Sequence, residues 1–128
     1  KHMWLMALTE NGDALNISTV SYPALSGIAV GNFNRNGKVF DVIHFHTSND
    51  VINNGKGADH FILQAKLKTG ELLQITVERD AEVVYSFANG QYILREGMGS
   101  FTINGEKARG IIEFGFNKDN SRWYRNNK

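Results

Sequence analysis

The dipeptide Asn-Gly occurs five times in this chain, at Asn11-Gly12, Asn36-Gly37, Asn54-Gly55, Asn89-Gly90 and Asn104-Gly105, and Thr69-Gly70 adds a sixth candidate reversal. Both residues tolerate positive φ, the state that two-residue hairpin turns need if their twist is to match that of the flanking strands. With thirteen Gly and a single Pro in 128 residues, nearly every backbone N–H stays available for a ladder. Such a chain doubles back often, and antiparallel strands are what these reversals join.

Between the turns the apolar residues alternate, as they do when a strand buries one face. After Asp59, the residues Phe61, Leu63, Ala65 and Leu67 share one face while His60, Gln64, Lys66 and Lys68 share the other; Leu73, Ile75 and Val77 answer them across Thr69-Gly70. By the same logic Trp4–Thr9 pairs with Ala14–Val20, Ile28–Asn34 with Val39–His46, Ala81–Ala88 with Gln91–Glu96, and Gly99–Ile103 with Ala108–Phe116. About ten strands in five hairpins result. No stretch of eleven or more residues has the apolar spacing of an amphipathic helix, so crossover connections and parallel sheets are not expected.

A meander of that length exposes its edges unless it curls, so the sequence predicts an all-β, up-and-down barrel or half-open barrel over residues 4–116. Gly27, Gly31, Gly97, Gly99, Gly110 and Gly115 lie in or beside strands, where glycine permits sharp bending. Greek-key order stays open. Thr47–Ala58 reads as a polar loop that is either a lid over a cavity or a surface excursion. Residues 117–128 form a polar, basic tail whose Trp123 and Tyr124 either dock on the barrel or stack on a ligand.

Composition narrows the chemistry. A net charge of +1 with 21% charged and 41% apolar residues is that of an ordinary globular domain with no pull toward nucleic acid. The absence of Cys excludes disulfides, thiolate metal sites, iron–sulfur clusters and a Cys nucleophile. No apolar run approaches a membrane span and Lys1-His2-Met3-Trp4 lacks a signal-peptide layout, so a cytoplasmic location is expected. His2-Met3 has the look of a cloning remnant, which would make Trp4 the start of the natural segment.

Few side chains stand out as reactive. His44 and His46 share a strand face with Phe40 and Val42; with His60 or Asp59 they could hold a metal, although a pair without an obvious third ligand more often lines a cavity or ends a strand. Either imidazole could instead serve as a general base. Glu113 lies between Ile112 and Phe114, and Glu96 sits in a similarly apolar or Gly-rich strand. Were Glu113 to point inward, desolvation would raise its pKa and suit it to proton donation; pointing outward, it would be a solvated acid or a partner for Arg95 or Arg109. Serine-hydrolase, phosphate-loop and dinucleotide motifs are absent, and nothing in the pattern asks for a cofactor.

One set of residues resembles a known family. Trp4 precedes an apolar strand and the turn Asn11-Gly12-Asp13; Gly27-x-x-x-Gly31 follows, then Glu96-Gly97-Met98-Gly99-Ser100-Phe101, Asn104-Gly105, and Gly110-Ile111-Ile112-Glu113-Phe114-Gly115. From Trp4 to about Phe116 this is similar to the C-terminal half of the lipocalin-like family that contains the carotenoid 1,2-hydratases. The resemblance implies a lipocalin-like barrel around a cavity for a hydrophobic molecule, and in some relatives acid-assisted chemistry on an alkene. It also implies a partner N-terminal half, which this chain lacks. Only Glu113 matches the family's Gly-x-x-Glu stretch, with Trp4 as a cavity or interface residue.

Three readings follow. The leading one is a barrel module that binds a lipid, terpenoid or polyene within its interior, with Trp4, Phe40, Phe61, Tyr85, Tyr92 and Phe114 as ligand contacts and Phe33, Phe87 and Phe101 as further lining or plug. The second is part of a hydratase, isomerase or cyclase using Glu113 with His44 or His46. The third is a sugar-binding or protein-interaction sandwich with aromatic rings exposed on a sheet face. Exposed barrel edges also make a homodimer an expectation.

Overall fold

A computed structural model describes residues 2–20, 28–48 and 57–118. Eight strands run in sequence order: β1 (His2–Thr9), β2 (Ala14–Val20), β3 (Ile28–Arg35), β4 (Lys38–Thr47), β5 (His60–Leu67), β6 (Leu72–Phe87), β7 (Tyr92–Ile103) and β8 (Glu106–Asn117). Each pairs antiparallel with the next, and β1 also pairs with β8, which closes the barrel in up-and-down order. The all-β barrel read from the sequence is the fold, and Greek-key order is excluded.

The turns follow the expected chemistry. Asn36 and Asn104 sit at φ 53° and 50°, each followed by a glycine at 77° and 83°, the paired positive values that a two-residue hairpin loop demands. At the first turn, the amide of Asp13 donates to the hydroxyl of Thr9 at 3.0 Å, giving that buried hydroxyl a partner.

Strand number is where sequence and structure differ. Leu73–Val77 and Ala81–Ala88 were expected as separate strands, as were Gln91–Glu96 and Gly99–Ile103; each couple is one long strand, which turns ten into eight. The join in β6 is a bulge, where the register slips between Arg79 and Ala81. An extra residue there bends the strand and reverses which alternate side chains face inward. Before it Leu73, Ile75 and Val77 point into the barrel; after it the register turns Val83, Tyr85 and Phe87 away, and this end of β6 is exposed on both faces, Val84 of the opposite parity being 48% exposed.

The interior is packed. Phe33, Phe61, Phe114, Met3, Leu5 and Leu15 head the fully buried side chains. A hollow large enough for water would leave accessible surface on its walls, yet Leu5, Leu15, Ile17, Leu63, Leu73, Ile75, Val77 and Ile112 are each 0% exposed. Eight strands make a barrel narrow enough for side chains to fill, and these do. Near Phe114 the filling is tight enough that Gly57, at φ 75°, has no room for a Cβ against the Phe114 ring.

The walls are not uniform. β6 and β7 share register pairs from Ile75–Ile103 out to Phe87–Tyr92. Between β3 and β4 the ladder covers only Asn32–Arg35 on Lys38–Asp41. Among the described residues, the ladder partners of Ile28–Gly31 lie in β2 and those of Val42 and His44–His46 in β5. A second bulge, between Val42 and His44, lies on this β4 stretch.

Candidate functional site

Inward-facing side chains differ according to which wall carries them. On β1 and β5 to β8 the core residues are at most 6% exposed. Beside the short β3–β4 seam, Phe45 packs against the core but is only partly buried, as is Phe40 at the paired end, with Val42 between them at 7%. Thr47 and Ala29, on the two stretches beyond the paired end, are also half-buried. The seam is thus where the interior meets solvent with the fewest backbone hydrogen bonds across it, and its exposed surface is aromatic and aliphatic. The segments 21–27 and 49–56, which follow β2 and β4, lie outside the described residues, as do most of the expected lid and the tail with Trp123 and Tyr124.

The sequence-derived ligand residues divide into three groups. Phe61 and Phe114 are core, at 1% and 0% exposure with ring centroids 6.5 Å apart, and expose no surface to a ligand. Phe40 stands at the seam. Trp4, Tyr85 and Tyr92 lie on the outer wall, since the faces of β1, β6 and β7 that carry them alternate with buried positions or follow the β6 bulge. There Phe87 lies between Tyr85 and Tyr92, 6.3 Å from each, so the rings form a row whose Tyr85 and Phe87 are exposed and whose Tyr92 is half-buried. The indole of Trp4 donates to Asn16 Oδ1 at 2.6 Å.

Glu113 is on that same outer face, because Ile112 and Phe114 on either side of it are buried. It pairs with His2, whose Nε2 lies 2.7 Å from its Oε1, and the other ring nitrogen of His2 meets the Tyr92 hydroxyl at 3.0 Å. Burial, with the Glu113 charge adding to it, raises the Tyr92 pKa above its ordinary 10.0. The arginines expected as Glu113 partners are engaged with other acids: Arg95 with Glu82 at 2.8 Å and Arg109 with Asp80 at 3.1 Å. Glu96 lies directly across from Glu113 in the β7–β8 ladder.

His44 and His46 do share one face, with ring centroids 6.3 Å apart, and both are exposed. They stand on β4, four strands from β8 in either direction around an eight-stranded ring. Glu113 and the two imidazoles therefore point outward from opposite walls, and the structure does not bring the three expected catalytic residues together. Asp59 is bound to Arg79 at 2.7 Å, and no group of three His, Asp or Glu that could hold a metal ion occurs among the described residues.

One feature escaped the sequence reading. A cavity of about 520 Å³ lies on the outer wall, lined by Ser100, Thr102, Thr76, Glu78, Lys107 and Arg109 among others. These six occupy the solvent face of their strands, where polar side chains are the rule, so periodicity alone gave no signal; the buried Thr9, Phe101 and Ala108 also line it. No helix among the described residues is long and apolar enough to cross a membrane. Set against protein-family models, curated proteins and solved structures, the chain matches none of them.

Proposed function

We propose that this chain is a β-barrel binding module for a hydrophobic small molecule of the lipid, terpenoid or polyene class, taken up at the β3–β4 seam. The observation that carries this reading is the contrast in closure. Core side chains on β1 and β5 to β8 are at most 6% exposed, whereas the inward rings of Phe40 and Phe45 keep accessible surface where the ladder is shortest. Ligand sites are mostly apolar and concave, and a barrel filled as tightly as this one opens its apolar interior only where its wall can part. The motif likeness to carotenoid-hydratase-like barrels supports the same ligand class.

A fluorescent fatty acid added to the protein tests it. The expected result is saturable enhancement, reversed by unlabelled oleate and weakened about tenfold by Phe45→Ala, a change that removes apolar contact worth roughly 1.5 kcal/mol. Absence of saturable binding overturns the reading. The exposed rings of Tyr85 and Phe87, continued by the half-buried Tyr92, favour a second role, contact with another copy of the chain. Sedimentation showing a monomer at all concentrations excludes it.

A further inference from the structure

The cavity on the outer wall lies away from the seam, and its construction is of another kind. One line of side chains crosses five strands on the solvent face: Leu8 beside Arg109, Arg109 beside Ser100, Ser100 beside Glu78, and Glu78 beside His60. The next line is Thr76, Thr102 and Lys107. In the first line Ser100 stands between the longer Arg109 and Glu78, with Leu8 and His60 beyond them; in the second Thr76 and Thr102 stand side by side next to Lys107, so the hydroxyl residues form a low floor flanked by longer side chains. The β6 bulge, next to Glu78, bends the sheet at this point.

The chemistry of the walls is balanced. Arg109 and Lys107 contribute two positive charges and Glu78 and Glu10 two negative ones, and the Arg109 guanidinium is in addition paired with Asp80. Arg109 donates to Ser100 Oγ at 2.9 Å, and the hydroxyls of Thr76 and Thr102 are hydrogen-bonded to each other. An anion entering here would meet two carboxylates, and a cation two fixed positive groups; a purely apolar molecule would strip water from all four charges without replacing it. A neutral molecule dense in hydroxyls fits each constraint. Every hydroxyl both donates and accepts, so neighbouring ones can give to Glu78 and take from Arg109 or Lys107. Leu8, 57% exposed at the edge, offers a surface for the C–H face of a ring.

We infer that this outer-wall cavity is a binding site for a neutral sugar of one or two rings. A volume of about 520 Å³ is in the usual range for a small-molecule site. The site is independent of the seam and of any hydrophobic ligand there.

Saturation-transfer NMR of the whole chain with maltose, cellobiose and lactose tests the inference, with inorganic phosphate and acetate as competitors. At least one disaccharide is expected to receive saturation, with neither anion displacing it. Glu78→Gln should weaken that binding about tenfold by removing a charged acceptor, and Ser100→Leu should abolish it by raising the floor. Both positions are exposed, so the fold is retained, which an unchanged melting temperature verifies. Three silent disaccharides, displacement by phosphate, or parental binding in Glu78→Gln would each overturn it.

Discussion

Two seams of one barrel show how unevenly closure is distributed. Twelve register pairs join β6 to β7, and the inward residues along their shared core stretch, Ile75, Val77, Phe101 and Ile103, are buried. Four pairs join β3 to β4; Phe33 on β3 is buried there, but the inward rings of Phe40 and Phe45 on β4 are only partly covered. The same closed sheet thus combines a wall in which ladder and core reinforce each other with one in which both thin out at the same place. Local opening is favoured where few backbone bonds hold two strands, so the short seam is where the barrel is expected to part at least cost.

The largest test of this contrast is a pair of truncations. Phe114→Ala in the sealed interior is expected to lower stability by about 3–5 kcal/mol, and Phe45→Ala at the seam by about half of that or less, both measured by urea unfolding. Equal losses would mean that the two zones pack alike. Next in size is the difference in amide exchange. Protected amides in β7 are expected to exchange only through global unfolding, and those in Ile28–Gly31 and Val42–Thr47 through local opening at far lower free energy. Uniform protection would remove the seam as an entrance.

The smallest effect concerns a clamp at the paired end. Arg35, the last residue of β3, reaches over to Glu71 in the turn before β6, its Nη1 donating to Oε2 at 3.0 Å and its Nη2 to Oε1 at 2.9 Å. That hydrogen bonding, with the Arg35 charge behind it, lowers the Glu71 pKa below its ordinary 4.5. A carboxylate depressed in the folded state stabilises fully above its unfolded value, and the gain is lost as pH falls through the folded one. About a third of each side chain is exposed, so a double-mutant cycle at neutral pH should give about 0.5–1 kcal/mol, declining below pH 4.5. A coupling that persists unchanged in acid would refute this assignment.

Turn chemistry made most of the fold legible from residues alone. Asn36-Gly37 and Asn104-Gly105 announce their hairpins because few other pairs accept positive φ twice in succession. The outward face of Glu113 was also within reach, since Ala108, Ile112, Phe114 and Phe116 form an apolar set of the opposite parity. Glu78-Arg79-Asp80 hid the continuity of β6, because a polar run inside a long strand looks like its end. The bulge at that run then shifted parity, which moved Tyr85 from an expected interior position to the outer wall. The length of the β3–β4 ladder had no counterpart in the sequence, since pairing extent depends on how the closed sheet twists rather than on any local pattern.

The most direct measurement is a backbone amide NMR titration of the chain with oleate. Uptake at the seam should shift the amides of Phe40, Val42 and Phe45 in a saturable manner while leaving Ile75, Val77 and Ile112 in place. Shifts centred on Tyr85, Phe87 and Tyr92, or no shifts at all, would contradict a ligand entering between β3 and β4.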